Sequence, residues 1–348
     1  MIIDIILFLL GLLILYYGAE WLIRGASGIA LEYGIRPVVV GLTVVALGTS
    51  MPEFLVNFIA ALSGEHHLAL GNIIGSNISN VALILGASAI VLPIAVTPQI
   101  LRKEYPMMLG AMIAFYLVAL DGTISRLDGS LLITGLAAFL SYLVYEAKNG
   151  SPALQMAEEM EGVSRKDTDL VSAEGEMETH GASLSEEEEE VIGASAQDSI
   201  TKKATYLIGG TVGLAVGAHF MVDSAVDIAR SMGISQIIIG LTIVAIGTSL
   251  PELAASMVGA IKSEADLSVG NILGSNLLNV LFVVGSVSIM SPLDVEPTTL
   301  SIHFPVMLGI CVMLLPIAWT RFEITRVEGG VLLATFLSYM TYILMWTV

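Results

Sequence analysis

A fourteen-residue run occurs twice in this chain, and that repetition limits the possible folds more than any other feature. GLTVVALGTSMPEF, Gly41 to Phe54, returns as GLTIVAIGTSLPEL, Gly240 to Leu253, with ten positions identical and an offset of 199 residues. The same offset, without a gap, carries GNIIGSNISN (Gly71 to Asn80) onto GNILGSNLLN (Gly270 to Asn279). Two copies of one structural unit are expected from this self-similarity. Each copy sets a carboxylate, Glu53 or Glu252, and several hydroxyl and amide side chains inside an otherwise apolar run.

The surroundings of the repeats are those of a membrane protein. Of the 348 residues 55% are apolar and 13% charged, against about 25% charged in a soluble domain. Apolar spans of bilayer-crossing length run at about 2–23, 38–62, 68–92, 105–120 and 129–145. They resume at about 204–228, 236–261, 267–289, 304–319 and 329–346. With five crossings in the first half, the second half enters from the opposite side, and its motif points the opposite way. The expectation is an all-α polytopic membrane protein: ten transmembrane helices as two inverted five-helix repeats, with helices 2 and 7 broken. Residues 1–148 form the first repeat and 202–348 the second. Residues 149–201 form an acidic, disordered cytoplasmic linker.

The formal net charge of −18 belongs mostly to that linker, where fourteen Asp and Glu face only Arg165 and Lys166. Its Glu186–Glu190 run and its Ser and Gly content read as a solvated connection rather than a folded domain. With the N- and C-termini outside, twelve of the fourteen Lys and Arg lie on the cytoplasmic side, leaving Arg126 and Arg230. That asymmetry follows the positive-inside rule and places the chain in the cell membrane. The first residues carry no basic region, so the first span is expected to be retained. A single cysteine, Cys311, excludes an internal disulfide. No feature points to nucleic acid, an obligate protein partner or a cofactor; the bilayer is the expected surrounding.

The motif has a chemical logic. Pro52 and Pro251 have no N–H, so the carbonyls of Gly48 and Gly247 lose their helical partners. In hydrocarbon such a break is tolerated where it is buried in protein or lines a cavity. Gly48, Thr49 and Ser50 are therefore expected to be partly unwound. An ionised carboxylate at mid-helix costs about 2.5–3.5 kcal/mol, and no Lys or Arg lies within the motif spans to offset it. A bound cation is the natural compensation. Ser76 and Asn80, with Ser275 and Asn279, add neutral oxygens at i, i+4, on one helix side. Asn72 and Asn77 are expected to make interhelical hydrogen bonds, and Gly71 and Gly75 to allow close packing. An all-oxygen set suits a hard cation such as Ca²⁺, which takes about 6–8 oxygens. Two carboxylates neutralise one Ca²⁺ or two monovalent ions.

These paired motifs resemble the alpha-repeats of the sodium/calcium exchanger family, within the calcium:cation antiporters. The likeness covers both halves. It implies alternating access and exchange of intracellular Ca²⁺ for external Na⁺, with no enzymatic activity. Carried onto matching positions, it implies that Glu53 and Glu252 hold Ca²⁺ with backbone oxygens at Thr49 and Thr248. Na⁺ would use Ser50, Ser76, Ser249, Ser275 and the carbonyls of Ala46 and Ala245. Many members carry Asp where this chain has Asn279; here Asn80 is matched by Asn279, with one titratable group fewer.

Other readings remain. Proton/calcium exchange needs only the carboxylates, whereas the many hydroxyl and carbonyl donors favour Na⁺. A passive channel predicts a continuous pore and a ring of subunits. An intramembrane enzyme needs a nucleophile–base pair or metal-ligating histidines in the spans, and neither occurs. Glu20 and Arg24, at i, i+4, are expected to pair. His219, Asp223 and Asp227 mark the wet end of their helix, His303 an interface, and His66 and His67 an outer loop unsuited to a metal.

Overall fold

The computed structural model describes residues 2–149, 198–232 and 245–347. Most of the linker, and the apolar stretch 233–244, lie outside them. Helix α1 spans Ile2–Tyr33, α2 Pro37–Thr49, α3 Met51–Leu62 and α4 His66–Val91. Helix α5 spans Glu104–Ala119 and α6 Arg126–Asn149. In the second half α7 spans Ile200–Ser231, α8 Leu250–Ile261, α9 Ala265–Met290, α10 Thr299–Arg321 and α11 Arg326–Thr347.

Seven of these helices are long and apolar enough to cross a bilayer, or eight if α2 and α3, bent by 48° at their break, count as one span. The molecule is thus a mostly helical, multi-pass membrane protein. The count differs from the ten spans expected from sequence, for identifiable reasons. Helix α5 has 16 residues and rises about 24 Å, short of the roughly 30 Å hydrocarbon core. Helix α8 has 12, and most of the segment before it lies outside the described residues.

Helix α1 runs ten residues past the expected end at Ile23, because a glycine seam, not hydropathy, sets its length. Gly11, Gly18 and Gly25 recur every seven residues and meet α7 antiparallel. A Cβ on Gly18 would lie 2.7 Å from Leu214 N, and one on Gly25 2.6 Å from Leu207 N. From the other side, a Cβ on Gly210 would lie 2.3 Å from Leu22 N. The two backbones touch along their lengths, the packing that small residues permit. Gly34, at φ 59°, ends α1 in a conformation that favours glycine.

The α1–α7 pair shares a small apolar cluster with Val40, Val45, Ala255, Val258 and Leu267. A larger cluster joins α2–α6 to α9–α11. Two short antiparallel strand pairs tie the halves together. Strand β1 (Ile94–Ala95) pairs with β4 (Glu323–Ile324), and β2 (Thr123–Ile124) with β3 (Leu293–Asp294).

Glu20 and Arg24 do not pair with each other. Glu20 takes Lys262 at 2.9 Å, and Arg24 takes Asp198 at 3.1 Å while lying 4.7 Å over the Tyr206 ring. Both side chains reach elements packed against α1, where oppositely charged groups are within range. His219 and Asp223 are exposed and lie 3.4 Å apart. His303 is half-buried, with Nδ1 2.9 Å from the Tyr339 hydroxyl.

Candidate functional site

Both halves break their motif helix in the same conformation. Ser50, with φ −86° and ψ 4°, caps α3, and Ser249, with φ −91° and ψ 7°, caps α8. Each proline then occupies the first turn of the following helix, where its missing N–H costs least. The break is narrower than expected. Gly48 and Thr49 stay helical, and only Ser50 leaves the helix, because Ser50 N–H still reaches Ala46 O at 2.9 Å. Proline frees one carbonyl without unwinding the turn before it. In the second half the turn includes Thr248, and Ser249 N–H bonds Ile246 O at 3.1 Å rather than Ala245 O.

The two glutamates fall in the first turns of α3 and α8, at the positive ends of those helices. Each is 1% exposed. No ion pair to either occurs among the described residues, and each lies within electrostatic range of the other. Ser50 Oγ donates to Glu252 Oε1 at 2.9 Å, linking the first break to the second glutamate. Thr49 and Ser275 flank the same carboxylate. Thr49 Oγ1 lies 3.3 Å from Ala46 O and 3.2 Å from Asn271 Oδ1, so its single proton serves one of them at a time, while Ala46 O keeps the Ser50 N–H.

Most of the buried side-chain oxygens without a hydrogen-bond partner among the described residues gather here, the others being Ser88 Oγ, Glu104 Oε2 and Glu146 Oε2. Glu53 Oε2, Glu252 Oε2, the hydroxyls of Ser76, Ser249 and Ser275, and Oδ1 of Asn80 and Asn279 are buried without a hydrogen-bond partner. Each such atom costs roughly 1–3 kcal/mol if nothing satisfies it. All seven are oxygens, and six form symmetry pairs at the 199-residue offset. No group of three or more His, Cys, Asp or Glu able to hold a metal occurs among the described residues. The charged oxygens in this set are those of Glu53 and Glu252; the other five belong to neutral side chains.

Several residues that the sequence reading left outside the site support it. Asn57 Nδ2 donates to Glu53 O at 2.8 Å, and Asn72 Nδ2 to Asn57 Oδ1 at 3.1 Å. In the second half Asn271 Nδ2 lies 3.3 Å from Ser256 Oγ, while Asn271 Oδ1 accepts from Thr49 Oγ1 at 3.2 Å. Asn72 and Asn77 do bond between helices, as expected. Asn80 and Asn279 fall in π-helical stretches, Ser79–Ile84 and Asn279–Val284, a distortion frequent at functional sites. Gly270 and Gly274 pack closely, with an added Cβ 2.5 Å from Val38 O and Leu42 O respectively. The matching partners of Gly71 and Gly75 would be residues 237 and 241, outside the described residues. The offset that aligns the motifs also aligns Asn57 with Ser256, and was the available signal for this outer layer.

A multi-pass helical protein with paired broken helices and a buried all-oxygen cluster belongs to the class of ion-coupled membrane transporters. The family model described as "Sodium/calcium exchanger protein" matches residues 3–145 and 202–345, and the chain belongs to that family of antiporters. It is 36% identical to the putative antiporter CaxA of Alkalimonas amylolytica, over 97% of this chain and 98% of the relative. It is 29% identical to the sodium/calcium exchanger MaX1 of Methanosarcina acetivorans, over 97% of each chain. Among solved structures, the sodium-calcium exchanger NCX_Mj soaked with 2.5 mM Na⁺ and 10 mM Sr²⁺ superimposes with TM-score 0.76. That structure is 31% identical in sequence, and 98% of each chain is covered.

Proposed function

We propose that this chain exports Ca²⁺ in exchange for Na⁺ by alternating access, binding the ions at the membrane midplane between two inverted five-helix halves. Glu53 and Glu252, with oxygens of Thr49 and Thr248, hold Ca²⁺. Ser50, Ser76, Ser249, Ser275 and the carbonyls of Ala46 and Ala245 serve Na⁺, and Asn80 and Asn279 complete the set. The observation that carries the reading is the seven buried, unpartnered oxygens drawn from both halves. Hydroxyls and amides among them favour Na⁺ over a proton as the coupling ion.

Strand pairing supports the inverted arrangement. Strand β1 follows α4 and β4 follows α10, so their pairing puts the ends of α4 and α10 at one side. Strand β2 follows α5 and β3 follows α9, which gathers those ends at the other. Helices α4 and α9, equivalent by the offset, then run in opposite directions. The distribution of Lys and Arg orients the chain in the cell membrane with both termini outside and the acidic linker cytoplasmic.

Vesicles containing the purified chain test the proposal. Ca²⁺ uptake should follow an outward Na⁺ gradient, ignore an imposed proton gradient, and vanish in Glu53→Gln and Glu252→Gln. Uptake driven by protons alone would replace Na⁺ coupling, and normal transport by both Gln variants would remove the site assignment.

A further inference from the structure

Each half carries a second asparagine three residues before the one counted as an ion ligand: Asn77 before Asn80, and Asn276 before Asn279. Both are fully buried, and both bond across the halves. Asn279 Nδ2 donates to Asn77 Oδ1 at 3.3 Å, and Asn80 Nδ2 donates to Asn276 Oδ1 at 3.0 Å. Their own amide nitrogens face thioethers. Asn77 Nδ2 lies 3.9 Å from Met307 Sδ, and Asn276 Nδ2 lies 3.6 Å from Met108 Sδ. Met108 and Met307 are themselves 199 residues apart, so the whole Met–Asn–Asn chain occurs twice.

The chain has a direction. An amide's two ends are nearly the same size, so its orientation is set by what surrounds it. A thioether accepts weakly and cannot donate, so the nitrogen of Asn77 turns to Met307 and its oxygen turns away. That oxygen captures the nitrogen of Asn279. What remains of Asn279 is Oδ1, buried and unpartnered. The mirrored chain leaves Asn80 Oδ1 in the same condition. An oxygen turned to the ion is a ligand, whereas an N–H there would repel it.

We infer that Asn77 and Asn276, backed by Met307 and Met108, are positioning residues that fix which end of the Asn279 and Asn80 amides meets the ion. The inference rests on the ion-site reading above. It also makes Asn77 and Asn279 a matched pair: an Asp at 279 has no N–H for Asn77 Oδ1 and would set oxygen against oxygen.

Equilibrium ⁴⁵Ca²⁺ binding to the purified full chain in lipid vesicles tests this through double-mutant cycles. Asn77→Leu should weaken binding about 10–100-fold, the usual cost of losing a group that orients a ligand. In an Asn279→Ala background the same change should cost less than about twofold, the scatter of independent sites. With Asn80→Ala, its neighbour on the same chain segment, the losses should multiply. A role in folding alone predicts equal losses in every background, and that outcome, or no loss from Asn77→Leu, overturns the inference. Met307→Leu, which removes only the thioether, should show a smaller loss with the same dependence on Asn279. It carries the test if Asn77→Leu does not yield a monodisperse protein. Wild type and Glu53→Gln are measured alongside. A wild type that binds no ⁴⁵Ca²⁺ removes the ion-site reading and this inference together; binding abolished by Glu53→Gln but multiplicative cycles removes this inference alone.

Discussion

Replacing Glu53 by Gln should make the ion-free protein more stable and the Ca²⁺-loaded protein less so. Glu53 is 1% exposed, Oε2 has no hydrogen-bond partner, and no ion pair reaches the group among the described residues. In its ionised form a carboxylate so placed costs about 2.5–3.5 kcal/mol, of which its position in the first helical turn returns about 0.3–1 kcal/mol. Gln keeps the size, removes the charge, and buries an imperfectly bonded amide at about 1 kcal/mol. The balance is a gain of about 1–2 kcal/mol. Glu252→Gln should gain less, because the Ser50 hydroxyl at 2.9 Å loses an ionised acceptor, and charge-assisted bonds are roughly twice as strong as neutral ones.

Calcium reverses the order. At about a hundred times its dissociation constant, a ligand that binds only the folded state adds roughly 2.7 kcal/mol, and only wild type receives it. The assay is thermal unfolding in detergent at alkaline pH, where the carboxylate is ionised, with chelator and then with saturating Ca²⁺. The midpoints of wild type and Glu53→Gln should cross between the two conditions. If Glu53→Gln unfolds below wild type in chelator, or Ca²⁺ raises both midpoints equally, the buried-charge reasoning is wrong.

Two further predictions concern packing and pH. Gly210→Ala puts a Cβ 2.3 Å from Leu22 N; backbone cannot rotate away, so α1 and α7 must separate, at about 1–3 kcal/mol. Gly110→Ala, at an exposed position with nothing within 4 Å among the described residues, should stay within about 1 kcal/mol of wild type. Equal unfolding midpoints for the two variants would refute the seam. Between α8 and α9, Glu264 accepts from the Ser27 hydroxyl, and burial raises its pKa above 4.5 despite that bond. The folded state therefore binds this proton more tightly, and the stability it contributes is full below 4.5 and lost as pH rises through the raised value. The midpoint difference, wild type minus Glu264→Gln, should fall over that window; a flat or rising difference rejects the assignment.

The core of the candidate site is legible in the sequence because membrane burial makes polar residues conspicuous: Glu53, Ser76 and Asn80 stand out in apolar runs, recur at a fixed offset, and are buried. The outer layer was harder. Asn57 lies in the same span as Glu53, but its use, holding the Glu53 carbonyl, depends on where α3 turns after the break. Hydropathy misplaces a helix end where it and packing disagree. Arg24 ends the apolar count, yet α1 continues because Gly25 and Gly28 still face α7 and Lys203. The i, i+4 rule failed for Glu20 and Arg24 because it describes an isolated helix, whereas Lys262 and Asp198 arrive from other elements.

The duplication also separates what the two halves share from what they do not. Around the proposed ion site the pairs are identical in type: Ser50 with Ser249, Glu53 with Glu252, Asn77 with Asn276, Met108 with Met307. A cage so nearly two-fold carries little preference for either side of the membrane. The ends of the molecule differ. At one, Arg36 lies 2.8 Å from Glu104 and 3.1 Å from Glu146, which also takes Lys103 at 2.6 Å. Glu104 is 1% exposed, and its counterpart is His303. At the other end of α4, His66 faces Asp294 at 3.3 Å and His67 faces Glu296 at 3.4 Å, with both carboxylates largely exposed. Removing one partner of a buried pair costs about 3–5 kcal/mol, whereas exposed pairs are worth about 0–1 kcal/mol. If the exchanger opens alternately at its two ends, the basic end is the costlier to part, and the bias between access states arises at the periphery rather than from the ligands.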